Sequence, residues 1–436
     1  MERVLETPIA LLGLGISGRA ARRLLKLAGV ANEQIAVLDK DPAKATHADG
    51  ESLMRDFKPR TLVVSPGYPL STPWIRQAQA SGVKITSEIN LACATLRGER
   101  IIGVTGALGK STTVSLIGAG LRAVDANSFT GGNLGEPLAD YAADVLEGKR
   151  PRANWIALEL SSFQLENCAH LKLETGVITY LCANHLERYA SLRAYYDWKW
   201  SIATLGTPRL VLNAGSADLV KDAEERGIRN AVWASRDRGP LPSSFLEAAR
   251  LPGLHNQDNL CVAAAALQAS ALPEACVEAL GQFPGLAHRL ENLGCLAGVH
   301  VFNDSKATSI VSVESALASL LGDRRFSRGT LYCLLGGRDK KLPWKDLASW
   351  RDRAGLRFAF FGEAATLIKQ DSGLEGEVFQ GLRAALEALR PMLKPEDTLL
   401  LSPGGTSLDE FKNFEDRGER FGAWARELFG KATYGS

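Results

Sequence analysis

The chain lacks several features that would assign it a class at once. It has no excess charge of one sign: 51 Lys+Arg face 49 Asp+Glu, a formal net charge of +2. That balance supplies no global attraction to nucleic acid or to an anionic membrane surface. No uninterrupted apolar run reaches the ~18 residues that a membrane span needs. The opening Met-Glu-Arg-Val-Leu-Glu has neither the basic start nor the long apolar core of a secretory signal. The seven cysteines are scattered, odd in number and free of any C-x-x-C spacing, which argues against a disulfide framework and a zinc knuckle. Short repeats and low-complexity segments are missing too. What is present is ordinary globular material, 45% hydrophobic over 436 residues. That length predicts two or three domains in a cytoplasmic protein.

Strand-like apolar runs alternate with helical patterns in three stretches. The first has runs at Ile9–Leu12, Ile35–Leu38 and Thr61–Val64, with Gly13-Leu14-Gly15-Ile16-Ser17-Gly18 turning from the first run into a helix. Asp39 ends the second run, near where a nucleotide-binding unit places its ribose-binding acid. The second stretch starts at Ile101–Val104 and recurs at Trp155–Leu158, Gly176–Thr179 and Arg209–Leu212. The Ala-rich segment Asn259–Gln268 reads as a buried helix. The third has runs at Val299–Phe302, Thr330–Leu335, Phe358–Phe361 and Thr398–Leu401. Alternation of this kind predicts α/β domains, each with helices packed on a parallel sheet.

Gly103-Val104-Thr105-Gly106-Ala107-Leu108-Gly109-Lys110-Ser111-Thr112 follows a strand and opens a helix. It is a compact phosphate loop: backbone N–H groups freed by Gly106 and Gly109 and the positive helix N-terminus surround phosphate oxygens. Lys110 would neutralise phosphate charge, and the Ser111 hydroxyl would ligate magnesium. Glu159 and His185 follow two later strands, where side chains reach the crevice at the carboxyl ends of a parallel sheet.

Taken together, these motifs resemble the Mur ligases, the ATP-dependent amide-forming enzymes of peptidoglycan synthesis. The resemblance runs through Val64-Ser65-Pro66-Gly67-Tyr68-Pro69, Gly131-Gly132-Asn133-Leu134-Gly135, Glu159-Leu160-Ser161-Ser162-Phe163-Gln164, Leu254-His255-Asn256, His288-Arg289-Leu290-Glu291, Asn303-Asp304-Ser305-Lys306-Ala307-Thr308 and Ser407–Phe414. It implies three domains: an N-terminal Rossmann-like one (1–96), a central ATPase-type parallel sheet (97–286) and a C-terminal Rossmann-like one (287–436). It further implies that the chain adds D-glutamate to UDP-N-acetylmuramoyl-L-alanine, through an acyl phosphate, as a monomer with no nucleic-acid or membrane partner.

By the same resemblance, Gly15, Ser17, Asp39 and Asn133 meet the UDP-substrate. Gly106, Gly109, Lys110, Ser111, Thr112, Asn256, Asn259, Arg289 and Asp304 meet ATP. Lys306, Thr308, Lys340, Ser402 and Phe414 meet the amino acid. Lys110, Glu159, His185 and Lys199 form the catalytic group, with Ser111, Glu159, His185 and a carbamylated Lys199 serving magnesium or manganese. Ala107-Leu108, Tyr180, Asn184 and Gly404-Gly405-Thr406 depart from the family pattern. They leave two other readings open: a related ligase of altered amino-acid specificity, and a catalytically impaired nucleotide-binding regulator.

Overall fold

The computed structural model describes residues 5–183, 188–206, 208–430 and 432–433. Its strands form three sheets. The first has four parallel strands, β1 (Ile9–Leu12), β2 (Ile35–Leu38), β3 (Thr61–Val64) and β4 (Lys84–Thr86), in the order β2-β1-β3-β4. The second has six, β5 (Arg100–Thr105), β6 (Phe129–Gly132), β7 (Trp155–Glu159), β8 (Thr175–Ile178), β9 (Arg209–Asn213) and β10 (Val232–Ala234), in the order β10-β9-β8-β5-β7-β6. The third contains β11 (Glu291–Leu296), β12 (Val299–Asn303), β13 (Leu331–Gly336), β14 (Leu356–Phe361), β15 (Gly376–Phe379), β16 (Thr398–Gly404) and β17 (Ala432–Thr433), in the order β15-β14-β13-β16-β12-β11-β17. Among the described strands, only the pairings of β11, with β12 and with β17, are antiparallel.

The central strands are continuous apolar runs because both faces are covered by helices; Ile9, Ala10, Leu11 and Leu12 are wholly buried. Such a run leaves each sheet only its loop ends for chemistry. In every sheet the strand order reverses beside a central strand: between β1 and β3, between β5 and β8, and around β16. Ligands of open parallel sheets bind outside the carboxyl ends of strands at such reversals.

By packing, the chain divides into two units. Met1–Glu247 with Asp258–Gly281 holds the first two sheets, and Ala248–Gln257 with Gln282–Ser436 holds the third. Inside the first unit, the helix Ile16–Leu27 lies against the helix Leu138–Leu146. There Arg23 donates to Asp144 Oδ1 at 2.5 Å and Glu147 Oε2 at 2.6 Å. Glu88 accepts from the N–H of Ala139 at 3.1 Å, which caps a helix whose N-cap residue, Pro137, supplies no side-chain bond. No helix among the described residues is long and apolar enough to cross a membrane.

Candidate functional site

The Gly13–Gly18 turn and the Ser65–Tyr68 loop lie side by side because β1 and β3 are neighbours. With Asp39, Lys40, Gly132, Asn133, Pro137 and Gln164 they line an open cleft of about 1040 Å³. Gly15 precedes the helix Ile16–Leu27 and no side chain caps it, so the first N–H groups of that helix face the cleft mouth as anion donors. Gly18 admits no side chain: a Cβ there would stand 1.9 Å from the carbonyl oxygen of Gly13. The Asp39 carboxylate accepts from the N–H of Asp41 at 2.9 Å and that of Leu14 at 2.5 Å, and these bonds hold it below the usual carboxylate range. Asp39 therefore shapes the turn as well as lining the cleft. Gly15, Ser17, Asp39 and Asn133 share this one cavity. Ile16, 60% exposed, and Tyr68 line it too; the sequence places both inside motifs without making either a site residue.

The phosphate loop joins β5 to the helix Lys110–Arg122. Gly109 sits at φ +79° as its N-cap, again without a side-chain cap, leaving the helix N-terminus open to an anion. Gly106 packs so closely that a Cβ would come 2.0 Å from Thr179 Oγ1, and one on Gly109 2.7 Å from Asn259 Oδ1. Ala107 replaces a polar residue of the family pattern, yet its backbone N–H donates to the carbonyl of Tyr180 at 2.6 Å. The cradle is thus kept by backbone bonds that the Ala107-Leu108 departure does not touch. Tyr180, another departure, donates its hydroxyl to Asp258 Oδ2 at 2.8 Å, tying the segment that follows β8 to the helix Leu254–Ala269.

Three groups from different elements converge on this loop. Lys110 Nζ donates to the carbonyl of Ala107 at 3.0 Å. Lys199, near the end of the helix Leu192–Trp200, is 1% exposed and donates to the carbonyl of Gly106 at 2.6 Å, with its Nζ 4.5 Å from the centre of the Tyr195 ring. Burial, reinforced by the Lys110 ammonium, pushes the Lys199 amine well below the ordinary lysine value. Glu159 ends β7 and is also 1% exposed. Its Oε1 accepts from Asn133 Nδ2 at 2.7 Å, while its Oε2 is buried without a hydrogen-bond partner. A buried carboxylate oxygen left without a hydrogen-bond partner suits a hard cation. No cluster of three His, Cys, Asp or Glu suited to a metal occurs among the described residues. His185 and Asn184 lie outside the described residues.

Asn259 accepts from Thr113 Oγ1 at 3.3 Å beside Gly109 and so belongs with the phosphate loop. Asn256, three residues earlier on the same helix, belongs to the second unit and bonds the carbonyl of Pro252 at 2.6 Å.

In the second unit, Asp304 follows β12 and accepts from the N–H of Leu290 and from Ser402 Oγ, each at 3.0 Å. Burial raises its carboxyl to about 7 against those bonds. Leu290 follows Arg289, and Ser402 lies on β16, so one carboxyl joins two of the expected positions. Lys306 Nζ stands 3.6 Å from the centre of the Phe414 ring, a close cation–π contact. Thr308 is two residues on. Lys340 is exposed in the loop after β13, whose shape comes from Asp339 accepting from Trp344 Nε1 at 2.9 Å and Lys341 N at 2.9 Å. Gly404 departs from the family pattern for a packing reason: it has φ +73°, and a Cβ would come 2.8 Å from the Trp344 ring. Arg417, fully buried under these loops, was not singled out in the sequence. Its signal was its place one helical turn after Phe414.

Residues 104–240 match the Mur ligase middle domain. Relatives named UDP-N-acetylmuramoylalanine--D-glutamate ligase match nearly end to end. That of Symbiobacterium thermophilum is 32% identical over 96% of this chain and 97% of its own. The Anaeromyxobacter dehalogenans protein is 33% identical over 97% and 98%, and the Escherichia coli K12 protein 32% identical over 96% and 98%. Among solved structures, MurF ligase from Thermotoga maritima in complex with ADP superposes with a TM-score of 0.60 at 13% identity, covering 91% of this chain and 97% of that one. The UDP-N-acetylmuramate-alanine ligase of the same organism gives 0.57 at 17% identity, over 97% and 100%. These two likenesses speak to the fold, whereas the near-full-length relatives speak to descent: the chain belongs to the Mur ligase family, among the UDP-N-acetylmuramoylalanine--D-glutamate ligases.

Proposed function

We propose that the chain catalyses ATP-dependent addition of D-glutamate to UDP-N-acetylmuramoyl-L-alanine, as a cytoplasmic monomer in peptidoglycan precursor synthesis. The observation that carries the chemistry is the convergence of Lys110, Lys199 and the half-paired Glu159 on an uncapped phosphate loop. The identities of the other two substrates rest on the names of the full-length relatives.

In the first step an oxygen of the alanyl carboxylate attacks the γ-phosphorus of ATP, giving an acyl phosphate and ADP. In the second, the amine of D-glutamate attacks the acyl carbon and phosphate leaves with its electron pair. The barrier to the first step is charge, because one anion approaches another. The uncapped helix N-terminus and Lys110 hold the phosphates and oppose that repulsion. Asn133 links the two ends of the reaction: it lines the UDP-substrate cleft and donates to Glu159 beside the phosphate loop. Ser111, Glu159 and a carbamylated Lys199 would hold a magnesium or manganese ion, which supplies electrostatic stabilisation of the transferring phosphoryl group when bound. His185 is the remaining member of that group by family resemblance.

The direct test is phosphate release by the purified protein with ATP and each substrate present or withheld, using D- and L-glutamate side by side. Release is expected only when the UDP-muramoyl substrate and D-glutamate are both present. Equal turnover with L-glutamate would overturn the specificity, and substrate-independent release would mean a simple ATPase.

A further inference from the structure

The loops assigned to the incoming amino acid leave three adjacent strands, β12, β16 and β13, whose order in the sheet brings their carboxyl ends together. One side chain fastens them. Arg417, on the helix Phe414–Phe429, is completely buried. Its Nε donates to Ser305 Oγ at 3.0 Å and its Nη2 to the carbonyl of Ser305 at 2.8 Å. Its Nη1 donates to the carbonyl of Gly405 at 3.2 Å. The third loop is reached through Gly337, where a Cβ would stand 2.9 Å from Nη1. Ser305 Oγ passes the linkage on by donating to the carbonyl of Phe414 at 2.8 Å. Around this centre the loops are stitched to one another: Gly404 N bonds the carbonyl of Ala307, Gly405 N that of Gly336, and Arg338 and Thr406 exchange backbone bonds.

Every acceptor of Arg417 is neutral. The carboxylates of Asp409, Glu410 and Asp304 are near enough to favour its charge electrostatically, although among the described residues none is within ion-pair distance of it. A buried guanidinium bonded only to carbonyls and a hydroxyl costs stability, and removing its charge would be tolerated if it served packing alone. A dicarboxylate bound above these loops would add to the negative charge that Asp409, Glu410 and Asp304 already direct at it.

We propose that Arg417 is the positioning residue of the amino-acid site: it fixes the loops bearing Lys306, Thr308, Ser402 and Lys340, and places a buried positive charge beneath the dicarboxylate. The inference rests on the proposed D-glutamate ligation and names how this chain builds that subsite. It acts through the loops, not by touching the reacting atoms.

The test is steady-state kinetics of R417K, R417M and Ser305→Ala beside the unaltered enzyme, with each substrate varied in turn and thermal unfolding recorded. R417M is expected to raise the KM for D-glutamate by about tenfold or more, the scale of one lost charge-assisted bond, with the KM for ATP and for the UDP-muramoyl substrate within about twofold. R417K, which keeps the charge but cannot span three acceptors, is expected to lie between. Ser305→Ala keeps the guanidinium and probes the linkage if R417M does not fold; it too should raise the D-glutamate KM selectively. Unchanged D-glutamate KM in the variants that fold, or an equal rise for all three substrates, would overturn the proposal. Absence of D-glutamate-dependent release by the unaltered enzyme would instead overturn the ligation reading itself.

Discussion

At the residue scale, Lys199 separates what a sequence can say from what an environment adds. In the sequence it is one cation in a helix rich in aromatics, and only family resemblance gives it a role. In the structure it is buried, beside a second lysine, with one donor spent on the carbonyl of Gly106. Desolvation and the like charge disfavour its ammonium, so the amine is neutral at pH values where an exposed lysine is charged. A neutral amine is the form that adds carbon dioxide, giving a carbamate and releasing one proton. The carbamate nitrogen keeps an N–H for Gly106, so the modification need not break that bond. Intact-mass measurement in bicarbonate buffer should therefore show a gain of one carbon dioxide, absent in Lys199→Met. The sign follows from the lowered pKa: the adduct should persist at neutral pH and be lost on acidification, when the released amine is captured as ammonium. An active enzyme whose Lys199 stays unmodified in bicarbonate would sink this role. Arg417 shows the opposite failure of legibility. A buried arginine is written with the same letter as a surface one, and only the three strand ends above it reveal what it holds.

At the scale of elements, most of the architecture was legible because buried parallel strands are continuous apolar runs. Ile9–Leu12, Ile35–Leu38 and Thr61–Val64 read as strands and are strands. The unread ones are short, peripheral or polar: Lys84–Thr86 has one buried residue of three, and Gly376–Phe379 has none. Their pairing is dictated by a neighbour in space, which no local pattern records. The same limit hid Glu88, at the start of the helix Glu88–Cys93. Its Oε2 caps another helix through Ala139, while its Oε1 is buried with no partner. Burial raises the carboxyl from 4.5 to about 7. The unfolded chain ionises near 4.5, so the folded state is the better proton binder between those values, and stability drawn from Glu88 falls as pH rises through the window. Glu88→Gln keeps an acceptor for Ala139 and removes the titration. Its stability relative to the unaltered protein should rise from about pH 4.5, level off above about pH 7, and reach at most ~3 kcal/mol. Denaturant melts at pH 5 and pH 8 measure this, and a pH-independent difference between the two proteins would refute the assignment.

At the scale of the whole molecule, each sheet offers the loop ends beside its own strand reversal, and the site residues group accordingly. The positions proposed for the UDP-substrate gather around the β1 and β3 loops with Asn133, those proposed for phosphate around β5, β7 and β8, and those proposed for the amino acid around β12, β13 and β16, while Asn256, Arg289 and Asp304, expected at ATP, lie in the second unit. The three successive alternations were legible in the sequence, because a βα repeat carries its loop position with it. The bonds inside each group were not, since they join residues far apart in the chain, as Asn133 and Glu159 or Ser305 and Arg417 show. A near-neutral total charge fits the arrangement, for the cations that matter are single residues aimed at particular oxygens. The arrangement has a consequence that one substitution tests. Lys110 is absent from the lining of the cleft proposed for the UDP-substrate, and its Nζ donates to the carbonyl of Ala107 in the phosphate loop. Lys110→Ala should then lower phosphate release by at least ~100-fold, the cost of removing one electrostatic stabiliser from a desolvated transition state. Its affinity for the UDP-muramoyl substrate, read by calorimetry without ATP, should stay within about twofold of the unaltered protein. Retained turnover would remove Lys110 from the chemistry. Loss of UDP-substrate binding along with turnover would show that the two clefts are energetically one, against the separation that the sheets suggest.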